Sequence, residues 1–128
     1  MLETRIAGTA ETTVTEANTA RTRGSGTLDV FATPALAELM ERCCWESVAP
    51  HLEEGQTTVG TWLDLHHNAP TPLGMHVHCE SELVAIDRRA LTFTVRAFDE
   101  AGEIATATHD RFIVDATRFQ SKANAKAE

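Results

Sequence analysis

The chain has 128 residues, 42% hydrophobic and 23% charged, enough for one domain with its own apolar core. Eleven basic against nineteen acidic residues leave a net charge of −8, which argues against a non-specific nucleic-acid binder, because a phosphate backbone demands a cationic face; a small phosphorylated ligand held by a few arginines remains compatible. No apolar run is long enough to cross a bilayer, and Met1–Ala20 lacks the apolar region of a signal peptide, so a cytoplasmic protein with no membrane partner is expected.

Residues 4–22 are rich in Thr and Ala, with β-branched Ile6, Thr12, Thr13, Val14 and Thr15, and predict an edge-like strand. Gly24-Ser25-Gly26 is a turn, and Leu28 to Ala32 leads into a helix over Thr33–Pro50. Thr33 can cap that helix and Pro34 suits its first turn, where no backbone N–H is needed. Leu36, Leu39, Met40 and Cys43 make its apolar stripe, and Glu38, Arg42 and Glu46 its solvated one. Glu41 fits neither stripe. Its neighbours on the helix surface are Ala37, Cys44, Trp45 and Val48, all apolar. A carboxylate there needs a compensating partner or serves chemistry.

Strands are predicted over Thr57–Asn68, Met75–Ile86, Ala90–Phe98 and Glu103–Asp115, separated by turns at Pro70–Gly74, Asp87–Arg89 and Asp99–Gly102. In the first of these, Leu63, Leu65 and His67 share one face, and Trp62, Asp64 and His66 the other. Leu91, Phe93, Val95 and Ala97 point inward. Residues 118–128 form a polar tail or a short terminal helix. The order is a strand, a helix, then four strands in antiparallel hairpins. The fold class is therefore α+β, a single domain in which a curved antiparallel sheet wraps around one long helix.

Cys43, Cys44 and Cys79 contain no CxxC and have apolar neighbours, so they are expected as reduced core residues. His66, His76, His78 and His109 have no set of cysteines or carboxylates at zinc spacing, and no metal or other cofactor is expected. Three residues keep two readings each from spacing alone. Thr33 is accounted for by a helix start, Glu41 by an ion pair with an arginine, and His67 by a satisfied core histidine. The alternatives are a nucleophile or water-orienting hydroxyl, a general base, and a proton carrier with a near-neutral pKa.

In order and spacing, FATPALAELMERC, APHLEEGQTTVGTWLDLHH, APTPLGM and RRALTFTVRAFDEAGEIATATHDRFIV resemble the hot-dog-fold acyl-CoA thioesterases of the fluoroacetyl-CoA thioesterase type, over roughly Asp29 to Val114. The resemblance implies a catalytic set of Thr33, Glu41 and His67. It also implies substrate binding by Gly60, whose N–H would meet the thioester carbonyl oxygen, and by Arg111. It implies an acyl-CoA substrate and a homodimer, alone or paired into a tetramer. Where that enzyme carries an aromatic-rich lid, Arg21–Thr27 here holds no aromatic residue. The rival readings are a non-catalytic hot-dog module that binds acyl-CoA or a hydrophobic metabolite, and a hydratase or dehydratase on the same fold.

Overall fold

The computed structural model describes residues 2–128. Five strands, β1 (Ala7–Thr13), β2 (Gln56–His67), β3 (His76–Asp87), β4 (Ala90–Asp99) and β5 (Gly102–Asp115), form one antiparallel sheet in the order β1-β3-β4-β5-β2. The helices are α1 (Ala20–Arg23), α2 (Thr33–Val48) and α3 (Ala116–Ala125), the last begun by the Asp115 side chain accepting from the Arg118 N–H. α2 continues as a single 3-10 turn over Ala49–His51. Among the described residues no helix is long and apolar enough to cross a membrane.

The predicted stripe of α2 holds. Leu36, Leu39, Met40 and Cys43 are buried in one cluster with Val77, Cys79, Leu83 and the inward row Leu91, Phe93, Val95 and Ala97 of β4. Full burial of each large side chain is worth about 1.5–3 kcal/mol. β1 lies so close to the helix that only glycine fits at position 8: a Cβ there would stand 2.6 Å from Ser47 Cβ and 2.7 Å from the Cys43 carbonyl oxygen. The three cysteines are buried, and burial pushes their thiols up, Cys79 to about 12. None is poised as a nucleophile.

Two expectations are corrected. β2 and β3 do not form a hairpin. β2 pairs only with β5 and sits at the far edge of the sheet, while β3 lies between β1 and β4. The link through Pro70–Gly74 therefore crosses from one edge of the sheet to the other side of β4. Thr33 is not the helix cap either. The N-cap is Ala32, whose side chain has nothing to donate or accept, and Thr33 is already helical. The Thr33 hydroxyl is thus released from backbone duty.

Candidate active site

Two polar clusters lie along α2, and the residues singled out from sequence divide between them. The first is at the helix start. The Thr33 hydroxyl oxygen lies 2.8 Å from His67 Nδ1, a contact between residues 34 positions apart, made because the end of β2 returns to the start of the helix. Burial pulls the His67 pKa below its usual value, and the Ala69 backbone offsets part of this. The ring is then neutral at pH 7. With its hydrogen on Nε2, Nδ1 is bare and accepts from the Thr33 hydroxyl, the arrangement of a general base on a nucleophile or on a bound water. Nε2 is buried with no hydrogen-bond partner among the described residues. Beside the pair opens a cavity of about 280 Å³ walled by Val30, Phe31, Ala69 and Pro70.

The second cluster is two turns further along α2, on the floor of a larger cavity of about 530 Å³ that also contacts Phe31, Ala35, Leu39 and Trp45. Here Arg111 Nη1 stands 3.5 Å from Glu41 Oε2; the Arg111 side chain is 7% exposed and that of Glu41 44%. Glu41 is therefore the open, solvent-facing end of a buried arginine, rather than a sequestered acid. Arg111 is held from behind. Its Nε donates to Thr58 Oγ1 at 2.8 Å, its Nη2 to the Thr58 carbonyl at 3.0 Å, and its Nη1 lies 3.1 Å from His109 Nε2. Burial lowers the Arg111 pKa and the Glu41 carboxylate offsets part of this; a guanidinium starts high enough that the cation is retained.

Gly60 joins this second cluster. A bulge in β2 makes the placement. Gly60 pairs with Arg111 and Trp62 with Asp110, leaving Thr61 as the extra residue. Strict alternation would set Gly60 on the outer face with Trp62; the bulge turns it inward against Glu41. A Cβ at position 60 would lie 2.7 Å from Glu41 Oε2, and 3.3 Å from both Arg111 Nη1 and His109 Cε1. Absence of a side chain is what lets the carboxylate rest on the strand.

Within one chain Thr33 and His67 meet, and Glu41, Gly60 and Arg111 meet, but the two groups do not converge. Thr33 and Glu41 are eight residues apart on one helix, about 12 Å of rise. Thr58 and His109 were not singled out from sequence as site residues, although both fix Arg111. Alternation along β5 puts His109 on the same face as Arg111, which is a readable signal. The Thr58 contacts depend on β2 lying beside β5 and have none.

Protonation of the half-buried His67 and the buried His109 has a thermodynamic consequence. Burial lowers the pKa of His67 and of His109 below 6.5 in the folded chain. The unfolded chain therefore takes up protons first as pH falls. The stability from keeping both rings neutral is complete above about pH 6.5 and is lost as the pH drops through the folded values. The urea midpoint is expected to fall from pH 7.5 to pH 5.5, a range where carboxylates contribute little. A flat or rising midpoint over that range contradicts the burial of these rings.

A family model described as fluoroacetyl-CoA-specific thioesterase (FlK) matches residues 14–117. The fluoroacetyl-CoA thioesterase of Streptantibioticus cattleyicolor is 37% identical over 98 residues, which span 77% of this chain and 70% of that protein. The solved structure of fluoroacetyl-CoA thioesterase FlK superposes with a TM-score of 0.92 at 30% identity, over 98% of each chain. A threonine-to-serine variant of that enzyme in complex with acetyl-CoA superposes with a TM-score of 0.93 at 29% identity, over 99% of this chain and 100% of that one. A thioesterase superfamily member from Thermus thermophilus, at 24% identity and TM-score 0.88 over 100% of this chain and 98% of that one, shares the fold. The curved sheet around α2, the matched residues and the identity over three quarters of the chain agree, and the chain belongs to the fluoroacetyl-CoA-specific thioesterase family.

Proposed function

We propose that this protein is an acyl-CoA thioesterase acting on a small acyl group, and that each catalytic site is shared between two copies of the chain. Thr33 and His67 come from one copy, and Glu41, Gly60 and Arg111 from the other. The observation that carries the catalytic half is the 2.8 Å contact of the Thr33 hydroxyl with His67 Nδ1, which a passive binding module does not need. The shared site is supported by the division of the polar residues into two clusters and by the edge strand that bears both.

β2 has 12 residues and only one neighbouring strand, so one side of its backbone is open to another chain. Trp62, 51% exposed, stands near its middle. Gly60 and His67 lie either side of that middle. Two β2 strands paired antiparallel about a two-fold axis between Leu63 and Asp64 set Gly60 opposite His67 of the partner subunit. That single operation brings each Thr33–His67 pair to a Glu41–Arg111 cluster, twice. Buried reduced thiols suit the reducing cytoplasm.

In this site the Thr33 hydroxyl, or a water it holds, attacks the thioester carbonyl carbon while its proton passes to His67 Nδ1. The carbonyl π electrons move to oxygen, where the Gly60 N–H is the proposed donor, worth on the order of 3 kcal/mol in comparable sites. Collapse breaks the C–S bond, and the leaving thiolate takes the proton back from His67. An acyl group left on Thr33 is released by water, with Glu41 as the base. Arg111 fixes Glu41 in place.

A thiol-release assay over a panel of acyl-CoA chain lengths tests the reading. Turnover is expected on short acyl groups. Glu41→Gln is expected to lower it about a hundredfold or more while ligand-induced thermal stabilisation persists. Folded protein that binds acyl-CoA and releases no thiol on any chain length overturns the enzyme reading in favour of a binding module.

A further inference from the structure

His109 is the one buried polar ring the proposed chemistry does not use. It is 1% exposed and bridges two elements. Its Nδ1 lies 2.8 Å from the Trp62 carbonyl oxygen, at the β2 bulge, and its Nε2 lies 3.1 Å from Arg111 Nη1. A carbonyl oxygen only accepts, so Nδ1 carries the hydrogen. A guanidinium only donates, so Nε2 must be bare. Both bonds can be made only by the neutral ring with its hydrogen on Nδ1, and the two partners specify that tautomer between them.

The bulge explains why a side chain is needed there. The extra residue interrupts the β2–β5 ladder, and two side chains serve backbone groups beside it: Thr61 Oγ1 donates to the Asp110 carbonyl at 3.1 Å and His109 Nδ1 to that of Trp62. The same bulge turns Gly60 inward beneath Glu41. One imidazole thus pins the strand irregularity that makes room for the carboxylate and accepts the guanidinium hydrogen that aims Arg111 at it.

We propose that His109 is a positioning residue for the thioesterase site. It acts as an obligatory neutral acceptor that orients Arg111, and through it Glu41, and releases both when it is protonated. The inference rests on the proposed catalytic use of Glu41. A protonated ring would set an N–H against an N–H, with two positive charges about 3 Å apart. The charged and polar groups around the ring are Arg111 and Asp110 from β5, Glu41 from α2, and the Trp62 carbonyl from β2; β4 contributes the uncharged ring of Phe93, its centroid 6.3 Å away. Burial and Arg111 disfavour the charged form, the Trp62 carbonyl, Glu41 and Asp110 favour it, and the net displacement is downward.

Two substitutions separate the role of the acceptor from that of a space filler. In His109→Gln the amide oxygen reaches the Nε2 position and can accept from Arg111. In His109→Asn the amide can serve the Trp62 carbonyl but falls short of Arg111. With comparable melting temperatures, His109→Gln is expected to keep kcat within a fewfold of wild type and His109→Asn to lose about tenfold or more, the loss of one bond to a charged group, with KM little changed. Equal kcat values in the two variants overturn the proposal.

The wild-type pH profile decides independently of either variant's folding. The acid limb of log(kcat/KM) is expected to carry two ionisations, His67 and His109, with a limiting slope of two, falling to one in His109→Gln. A slope of one in the wild type overturns the proposal. If Glu41→Gln retains full turnover, the reading of the site itself has failed. If Glu41→Gln is inactive while His109→Asn matches His109→Gln, only the role of His109 has.

Discussion

Equal mixtures of Thr33→Ala and Glu41→Gln proteins, each nearly inactive alone, are expected to recover about a quarter of wild-type turnover. Each single substitution is expected to lower kcat about 10²–10⁴-fold, since each removes a group that moves a proton or attacks carbon. The recovery comes from geometry. Thr33 and Glu41 stand eight residues apart on one helix and contact separate cavities, so a site made inside one chain lacks one of them. When subunits exchange at random, about half the dimers are mixed. In a mixed dimer one site carries both substitutions and the other carries neither. One competent site in two, over half the dimers, gives the quarter. If each chain held a whole site, mixing would restore nothing at all. Mixtures that have exchanged, shown by tagged subunits co-purifying, and still release no thiol would sink the shared site.

Gly60→Ala is expected to lower kcat ten- to a hundredfold with a melting temperature close to wild type. The added methyl would lie 2.7 Å from Glu41 Oε2, inside van der Waals contact, while Arg111 Nη1 and His109 Cε1 at 3.3 Å need give way by only a few tenths of an ångström. What yields is the Glu41 side chain, 44% exposed and free to swing toward solvent. Alanine is acceptable to a strand at an ordinary backbone angle, so little folding energy is lost. A carboxylate displaced by about 1 Å, however, costs on the order of a hundredfold when its position is what the reaction needs. Unchanged kcat in a folded Gly60→Ala protein would show that the contact between Glu41 and the strand has no part in turnover. A collapse in stability instead would mean that Gly60 is a packing residue whose neighbours cannot move.

Both experiments read contacts that no local pattern announces, and Thr33 shows why. Its chain neighbour Pro34 makes it look like a helix cap, and helix-start chemistry is local. The structure puts the cap one residue earlier, at Ala32, and gives the Thr33 hydroxyl to a histidine 34 positions away. His67 was correctly placed on the leucine face by alternation. Its partner was not readable, because that depends on where the end of β2 crosses the helix. Gly60 illustrates the limit of the two-residue period itself. Counting back from Leu63 puts Gly60 on the outer face, and the bulge at Thr61 reverses it. A bulge changes a face at the cost of one ladder bond, and one side chain from each strand, Thr61 of β2 and His109 of β5, serves the backbone groups beside it. Nothing in TTVGTW demands it.

By itself the sequence determined the parts and their faces. The stripe of Leu36, Leu39, Met40 and Cys43 and the inward row from Leu91 to Ala97 follow from periodicity, and both are present. The β-branched start gives an edge strand, shorter than the 4–22 stretch, at Ala7–Thr13, and of tail or helix at the other end the structure has the helix. It also marked Glu41 as out of pattern, and the structure gives that acid an arginine. Only the tertiary structure decided which polar groups meet. Placing β2 beside β5 rather than β3 brings Gly60 and Thr58 to Arg111, and returns His67 to Thr33. Periodicity is a property of neighbours a few residues apart, whereas a hydrogen bond between strands depends on the order and register of the whole sheet.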